Sequence, residues 1–487
     1  MLFRGFVIIT EKRVYLTALV LALGFGLRFL QLGRDSLWND EAGVVLAALS
    51  STIQGTIEAV RSHAMAMPLD YLIIRLVTKI SLNEFVLRLP AAFFGSLTLF
   101  ICYYLFNKLV MRDKEETALF ATLLLALSPL HIMYSQEVRF YSSLVFFYNL
   151  STLLLLEAIE KDNLKQWIMF SLVLIIGEYF HIFVFLSVIN GAILILLKQI
   201  RSGPNFWVSI RFLASLAIAF VALVPGYVYF GAHQRFNNPL LPGGASVWKV
   251  IALGLGWLEL PFTSTLSLGQ VWHVTSFGLF LVGMIICLKQ RESIIIALLV
   301  SVVIQIFLII LADIFKGYWF AYRQILQLLP YTLVVSAKGI SALLKIFGEH
   351  KFVFYVLIII VALTSIPALS DYYQWSKSDA YQISEYILTH WSPGDMILVV
   401  PGYPEKVYRY YLGYIFKRPD IAISVYPYEL RNVAETIGDK NCVFLVVIKD
   451  VINEDLSDSE IAWLLQDGFV PIRISSGWLG HSLFVRR

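Results

Sequence analysis

Asp40 and Glu41 stand side by side in Leu37-Trp38-Asn39-Asp40-Glu41, immediately beyond the first long apolar run of the chain. Insertion into a membrane does not call for two adjacent carboxylates there, and an unused charge at a dry interface is costly. A short loop at that depth suits proton abstraction beside a lipid-borne substrate. The competing structural reading is a solvated helix N-terminus near Glu41, capped by Asn39 or Asp40. Three other polar features recur at short breaks between apolar runs. They are Tyr134-Ser135-Gln136-Glu137-Val138-Arg139-Phe140-Tyr141, the pair Glu178 and His181, and the stretch Tyr318 to Arg323.

Together these residue types fit group transfer from a lipid phosphate. A carboxylate must take the proton of the attacking hydroxyl, and cations must stabilise the departing phosphate. Aromatic or apolar walls must hold the transferred group and the lipid tail. Asp40 supplies a candidate base. Arg139 and Arg323 supply candidate phosphate clamps, because a guanidinium offers phosphate two parallel donors. Each has a structural rival: Arg139 can pair with Glu137 or snorkel, and Arg323 can anchor a helix at the interface. Arg28, one turn inside the outer end of the first apolar run, reads as a snorkelling arginine or as a further phosphate contact. His181 reads as a hydrogen-bonding pocket residue, not a metal ligand, and His63 as a surface histidine.

What positions these residues is a membrane bundle. The chain of 487 residues is 58% hydrophobic and 15% charged, against about 25% charged in soluble domains. Eleven apolar spans are expected, at 14–32, 90–107, 117–134, 140–157, 167–181, 183–197, 212–231, 271–288, 294–312, 324–341 and 352–370. Basic residues cluster in alternate connections, at Lys108/Arg112/Lys114, Lys161/Lys165, Lys198/Arg201/Arg211, Lys289/Arg291 and Lys338/Lys345/Lys351, which places the N-terminus inside. The run 167–197 reads either as one long tilted helix or as two spans turning near Glu178 to His181. The second reading fits the charge pattern better. Met1 to Arg13 carries Arg4, Lys12 and Arg13, and the following span is long enough to be retained, so no cleavable leader is expected.

Residues 33–89 then form a first external loop. Within it Pro68 to Leu82 is too short to cross and reads as an interfacial amphipathic helix, as does Glu41 to Ser50. Residues 232–270 read as another external loop, with Val247 to Leu260 as an interfacial segment. Beyond residue 375 the pattern changes to helices alternating with short β-rich runs at Met396 to Val400, Ile421 to Tyr426, Val443 to Ile448 and Val470 to Ile474. The expected division is thus a membrane domain over 1–375 and a small extracytoplasmic α/β domain over 376–487. Three cysteines, Cys102, Cys287 and Cys442, suggest neither disulfides nor a thiolate metal site. The net charge of +4 gives no reason to expect a nucleic-acid partner.

Leu32-Gly33-Arg34-Asp35-Ser36-Leu37-Trp38-Asn39-Asp40-Glu41-Ala42 resembles the first external loop of GT-C glycosyltransferases, on the branch of protein O-mannosyltransferases and bacterial aminoarabinose transferases. Asn83-Glu84-Phe85-Val86-Leu87-Arg88-Leu89-Pro90 with Gly95, then Tyr134 to Tyr141, Tyr179-Phe180-His181, and Arg323 with Pro330 resemble that family's later segments in the same order. The resemblance covers most of residues 14–341. It implies a polyprenyl- or dolichyl-phosphate monosaccharide donor, attacked with inversion on the outer face. It makes Asp40 the catalytic base, Glu41 the second acidic position and Glu137 the acidic residue of the second loop. One departure stands out. Many relatives carry His or Lys followed by Pro-Pro-Leu in the first loop, where this chain reads Ala66-Met67-Pro68-Leu69-Asp70. That shifts the phosphate contact toward Arg139 and Arg323.

The sequence therefore reads as a polytopic α-helical GT-C-like glycosyltransferase of the inner or plasma membrane. Its expected catalytic residues are Asp40, Glu41 and Glu137, and its expected substrate-binding residues are Arg139, Arg323, Arg28, His181, Tyr141 and Glu178. The expected partners are a polyprenyl-phosphate-linked sugar, a glycan, lipid or protein acceptor, and the bilayer. A monophosphate leaving group requires no metal, although the acidic cluster has the chemistry to hold a divalent ion. Two rival readings are a lipid-linked oligosaccharide ligase or polymerase, and a lipid-linked sugar transporter or flippase. Against transport stand the absence of an internal repeat and the gathering of polar residues at one face.

Overall fold

The computed structural model describes residues 11–61, 63, 66–231, 246–257, 269–317, 320–347, 351–400, 405–425, 442–448, 458–473 and 481–486. It opens with α1 (Glu11–Phe29), followed by α2 (Asn39–Ala48), α3 (Ile53–Arg61) and α4 (Pro68–Thr78). Next come α5 (Glu84–Leu109), α6 (Lys114–Ala126), α7 (Pro129–Ser135), α8 (Tyr141–Lys161) and α9 (Leu164–Phe180). A 3-10 turn, Ile182–Leu186, leads into α10 (Ser187–Ser202), then α11 (Phe206–Gly226), α12 (Val247–Gly254), α13 (Gly269–Gln290) and α14 (Ser293–Lys316). A second 3-10 segment, Tyr322–Leu328, runs into α15 (Leu329–Ile346), and α16 (Lys351–Gln374) follows.

All eleven expected spans are helical. Among the described residues eight helices are long and apolar enough to cross a membrane, and α6 with α7 forms a ninth, bent by 58°. The other two are short: α1 offers the apolar run Val14–Phe29 and α9 has 17 residues, against about 20 for a perpendicular crossing. Between α9 and α10 the backbone at His181 is extended, with φ −160° and ψ 131°. The run 167–197 is therefore two helices and not one.

The bend between α6 and α7 has a local cause. Pro129 takes the first position of α7 and disfavours helical geometry at Ser128, whose hydroxyl instead accepts from the His131 N–H at 3.4 Å. The carbonyls freed at the end of α6 need donors, and Arg28 of α1 supplies them. Its guanidinium donates to Leu125 O at 3.1 Å and Ala126 O at 3.2 Å. Elsewhere α13 and α15 meet backbone to backbone. A Cβ on Gly283 would stand 1.8 Å from the Val335 carbonyl oxygen, and one on Gly339 2.4 Å from that of Leu279, an approach only glycine allows. The apolar window of Tyr322–Ile346 is buried throughout, whereas that of Phe352–Gln374 is 17% buried. The first lies at the centre of the bundle and the second at its rim.

Contacts divide the chain into two compact units. One comprises 1–30, 60–70 and 90–371, and the other 31–59, 71–89 and 372–487. The first is the helical bundle. The second holds α17 (Ala380–His390), β1 (Met396–Val400), α18 (Glu405–Tyr410), β2 (Ile423–Val425), β3 (Val443–Ile448), α19 (Asp458–Gln466), β4 (Val470–Arg473) and β5 (His481–Arg486). Its sheet has the order β2-β1-β3-β5-β4, parallel between β1 and its neighbours β2 and β3, and antiparallel across β5. Alternate residues Leu398 and Val400 of β1 and Val443, Leu445 and Val447 of β3 form its core with Leu464, Phe469 and Phe484.

Four of these strands fall where the sequence places them. The last residues of two expected runs, Tyr426 and Ile474, lie outside the described residues, as do most of residues 232–270, apart from α12 over part of the expected Val247–Leu260 segment. β5 is unexpected because its first two residues, His481 and Ser482, are polar. First-loop residues belong to this unit as well. The Tyr411 hydroxyl accepts from the Leu37 N–H at 2.7 Å and donates to Glu84 at 2.9 Å, while that of Tyr410 donates to Leu82 O at 2.7 Å.

Candidate active site

In the second unit, α2 begins at Asn39 and not near Glu41. Trp38 occupies the N-cap position, so neither Asn39 nor Asp40 is the cap. Glu41 lies in the first turn, and its Oε2 accepts from the Trp38 N–H at 3.3 Å. The same carboxylate is gripped by Arg88 of α5, Nε to Oε1 at 2.9 Å and Nη2 to Oε2 at 2.8 Å. Arg88 also donates to the carbonyls of Leu32, Asp35 and Ser36 at 2.9 to 3.1 Å. The pair is shut off from solvent, with side chains 3% and 0% exposed. Glu41 thus fixes the shape of the loop 32–36. Asp40, its neighbour in the same turn, remains half-buried at a helix end whose dipole favours a carboxylate.

In the bundle, the connection between α7 and α8 gathers several expected residues. Gln136 is held by α1: its Nε2 donates to Leu30 O at 2.8 Å, Arg28 O at 3.1 Å and Leu27 O at 3.3 Å. Arg28 in turn donates to the end of α6, so α1 caps α6 while Gln136, at the end of α7, caps α1. Gly95 of α5 permits the close fit beside them, for a Cβ there would meet Ser135 Oγ at 2.1 Å. Glu137 follows, buried at 1% exposure. It lies within electrostatic reach of the Tyr134 and Tyr322 hydroxyls, as does Arg323. Arg139 stands 5.6 Å from the Tyr141 ring centre and 5.0 Å from that of Phe140. Arg323 stands 6.0 Å from the same Tyr141 ring. The 3-10 segment carrying Arg323 and the loop carrying Arg139 thus bring two guanidinium groups to one aromatic side chain, within range of cation–π attraction. Tyr318 lies outside the described residues.

His181 closes the group on another side. Its ring centre is 4.5 Å from that of Phe140, and its Nδ1 accepts from the Phe183 N–H at 3.1 Å. Burial, and then the Arg139 charge, push its pKa down to about 3, so it is a neutral imidazole with its proton on Nε2. Glu178, in the last turn of α9, is fully buried. Among the described residues neither of its carboxylate oxygens has a hydrogen-bond partner.

Arg28 does not join this cluster. It turns inward instead of snorkelling, is fully buried, and its Nη2 lies 2.7 Å from His131 Nδ1. Among the described residues no three His, Cys, Asp or Glu side chains are arranged to hold a metal ion.

Three further residues go beyond the sequence-based expectations: Arg88 in the second unit, and Gln136 and Asp70 in the bundle. Asp70 lies in the first turn of α4 and is 7% exposed. Burial raises its pKa to about 6, opposed by the charge of Arg139. It lies four residues beyond the position where many relatives carry a basic residue. Its acidity within an apolar stretch was the available signal.

Comparison with known proteins agrees with this architecture. The family model described as dolichyl-phosphate-mannose-protein mannosyltransferase matches residues 62–229. Among solved structures, ArnT from Cupriavidus metallidurans in the apo state aligns at 11% identity and a TM-score of 0.57, over 96% of this chain and 97% of that one. ArnT from the same organism bound to undecaprenyl phosphate aligns at 10% identity and a TM-score of 0.50, with the same coverage. The Archaeoglobus fulgidus oligosaccharyltransferase AglB, in complex with an inhibitory peptide and a dolichol-phosphate, aligns at 12% identity and a TM-score of 0.51, over 91% of this chain and 69% of that one. No curated protein sequence matches. The fold is that of the multi-pass GT-C membrane glycosyltransferases. The family model matches about a third of the chain, and the solved structures are alike in fold.

Proposed function

We propose that this protein moves a monosaccharide from a polyprenyl- or dolichyl-phosphate carrier to an acceptor hydroxyl at the extracytoplasmic face of the cell membrane, with inversion at the anomeric carbon. The observation that carries the reading is the convergence of Arg139 and Arg323 on Tyr141, at 5.6 and 6.0 Å. Two guanidinium groups beside one aromatic ring suit a phosphate attached to an apolar lipid. The structural likeness to an ArnT bound to undecaprenyl phosphate and an AglB in complex with a dolichol-phosphate supports the same donor class here.

In this reading Asp40 takes the proton of the acceptor hydroxyl as its oxygen attacks the anomeric carbon. The bond to the phosphate oxygen breaks, and the polyprenyl phosphate leaves with its negative charge facing Arg139 and Arg323. Glu41 is the positioning residue that holds Asp40's turn through Arg88. Glu137 sets the charge balance beside the two arginines, and His181 offers Nε2–H as a hydrogen-bond donor. A monophosphate leaving group held by two arginines needs no metal. The N-terminus lies in the cytoplasm and residues 376–487 outside. The acceptor is a glycan, a lipid or a protein.

The test is transfer by the purified protein in lipid nanodiscs, offered undecaprenyl phosphate carrying radiolabelled mannose, glucose or 4-aminoarabinose with membrane extract as acceptor source. Movement of label from the lipid carrier to a new product supports the reading. Label that stays on its carrier across the panel overturns it.

A further inference from the structure

Asp313 ends the apolar run of α14, and the 3-10 segment bearing Gln324 and Gln327 packs against that helix. In a 3-10 helix residues three apart eclipse, so the two glutamines share one face. Asp313 and Gln327 are fully buried and Gln324 is 6% exposed. Gln324 is fixed, because its Oε1 accepts from the Ala321 N–H at 2.8 Å. Its amide lies close to the Asp313 carboxylate without hydrogen-bond geometry. Asn149 of α8, also fully buried, touches the same segment, its Nδ2 donating to Gln327 O at 3.5 Å.

Among the described residues, six side-chain atoms here have no hydrogen-bond partner: both oxygens of Asp313, Nε2 of Gln324, Nε2 and Oε1 of Gln327, and Oδ1 of Asn149. Buried polar atoms are almost always satisfied, and a local group of exceptions calls for a missing partner. The set is four acceptors and two donors with one carboxylate. A carboxylate disfavours an anion, and two amide N–H groups disfavour a cation. Sugar hydroxyls fit, since each has one hydrogen to donate and lone pairs to accept. Arg323 directly precedes Gln324 in the chain, so a sugar attached to a phosphate at Arg323 has this group within a few residues.

We propose that Asp313, Gln324 and Gln327 form the subsite that reads the hydroxyl groups of the transferred monosaccharide. The proposal rests on the donor class argued above.

The experiment compares binding of undecaprenyl phosphate with that of undecaprenyl phosphate bearing mannose, glucose or 4-aminoarabinose to the purified full-length chain in nanodiscs. It uses wild type, Asp313→Asn and Gln327→Met, with melting temperature as the folding control. Wild type is expected to bind one glycosylated lipid more tightly than the bare phosphate. Each variant is expected to lose about tenfold or more of that preference, the scale of a hydrogen bond to a charged group, while holding undecaprenyl phosphate within twofold of wild type. Variants that keep the wild-type preference, or lose both ligands equally, overturn the subsite and leave the donor class standing. A wild-type chain that binds none of the four lipids overturns both. One that binds bare and glycosylated lipid equally overturns the subsite alone.

Discussion

Arg88 holds Glu41 through two parallel hydrogen bonds of 2.9 and 2.8 Å in a place closed to solvent. The remaining Arg88 donors reach three carbonyls of the loop 32–36. Removing one partner of a buried ion pair leaves the other charge stranded and typically costs about 3–5 kcal/mol. Glu41→Gln is therefore expected to act on stability before chemistry, with a lower melting temperature and lower yield in detergent. Arg88→Met is expected to cost as much or more, because it also strips the carbonyls of Leu32, Asp35 and Ser36 of their donors. Unchanged melting in Glu41→Gln would show that the pair does not brace the loop.

Arg139→Lys and Arg323→Lys keep charge but lose the planar fork that matches a phosphate. Each is expected to weaken undecaprenyl phosphate binding by about tenfold, with melting behaviour near wild type because both side chains are half-buried. Titration of the lipid into purified variants measures this. Wild-type affinity in both would return the two arginines to an anchoring role.

The sequence carried the elements well where a repeating pattern was strong. Long apolar runs gave the helices of the bundle, and the β-rich runs at 396–400 and 443–448 gave two central strands with matching bounds. Partnerships were less legible, because they join residues far apart in the chain. Nothing in the local pattern links Arg88 to Glu41, or Gln136 to the carbonyls of α1. Arg28 illustrates the limit. Its place near a helix end reads as snorkelling, yet the break at Ser128-Pro129 creates bare carbonyls that draw it inward. Asp313 did carry a signal, an acid at the edge of an apolar span, but the expected span ended one residue before it.

Gln136 offers a test of how far the α7–α8 connection depends on its brace. Gln136→Glu keeps size and shape, but a carboxylate cannot donate to the three carbonyls that the amide now serves. The like charges also repel. Glu137 and Arg139 lie one and three residues away, so a displaced connection is expected to reduce turnover about tenfold or more. Melting would fall by a few degrees. Single-turnover kinetics at saturating donor separates this from weakened binding. A variant with normal turnover would mean that the connection is set by Gly95 and the aromatic contacts instead.

Asp70 gives a pH signature. Its pKa rises from 3.8 unfolded to about 6 in the folded chain, chiefly through burial. Below pH 3.8 both states are protonated and no penalty applies. Between roughly pH 4 and 6 the unfolded chain ionises first, so the folded state loses relative stability as pH rises. The shift corresponds to about 3 kcal/mol once complete. Asp70→Asn lacks this dependence, so its stability relative to wild type is expected to improve from pH 4.5 to pH 7.5. Melting curves at intervals across that range measure the difference. A gap that stays constant with pH would mean that the carboxylate is not desolvated.

Asp40→Asn tests the chemistry most directly. The side chain sits in the first turn of α2 and is half-buried, while its neighbour Glu41 is committed to Arg88. Asparagine keeps the shape and the local hydrogen bonding of that turn but accepts no proton. Loss of a general base typically costs about 10²–10⁴-fold in rate. The variant is therefore expected to melt like wild type, bind undecaprenyl-phosphate sugar with wild-type affinity, and transfer sugar slower by that range. Near-normal transfer by Asp40→Asn, with transfer abolished in a folded Glu137→Gln, would move the base to the α7–α8 connection. Weakened donor binding with unchanged single-turnover rate would make Asp40 a binding residue.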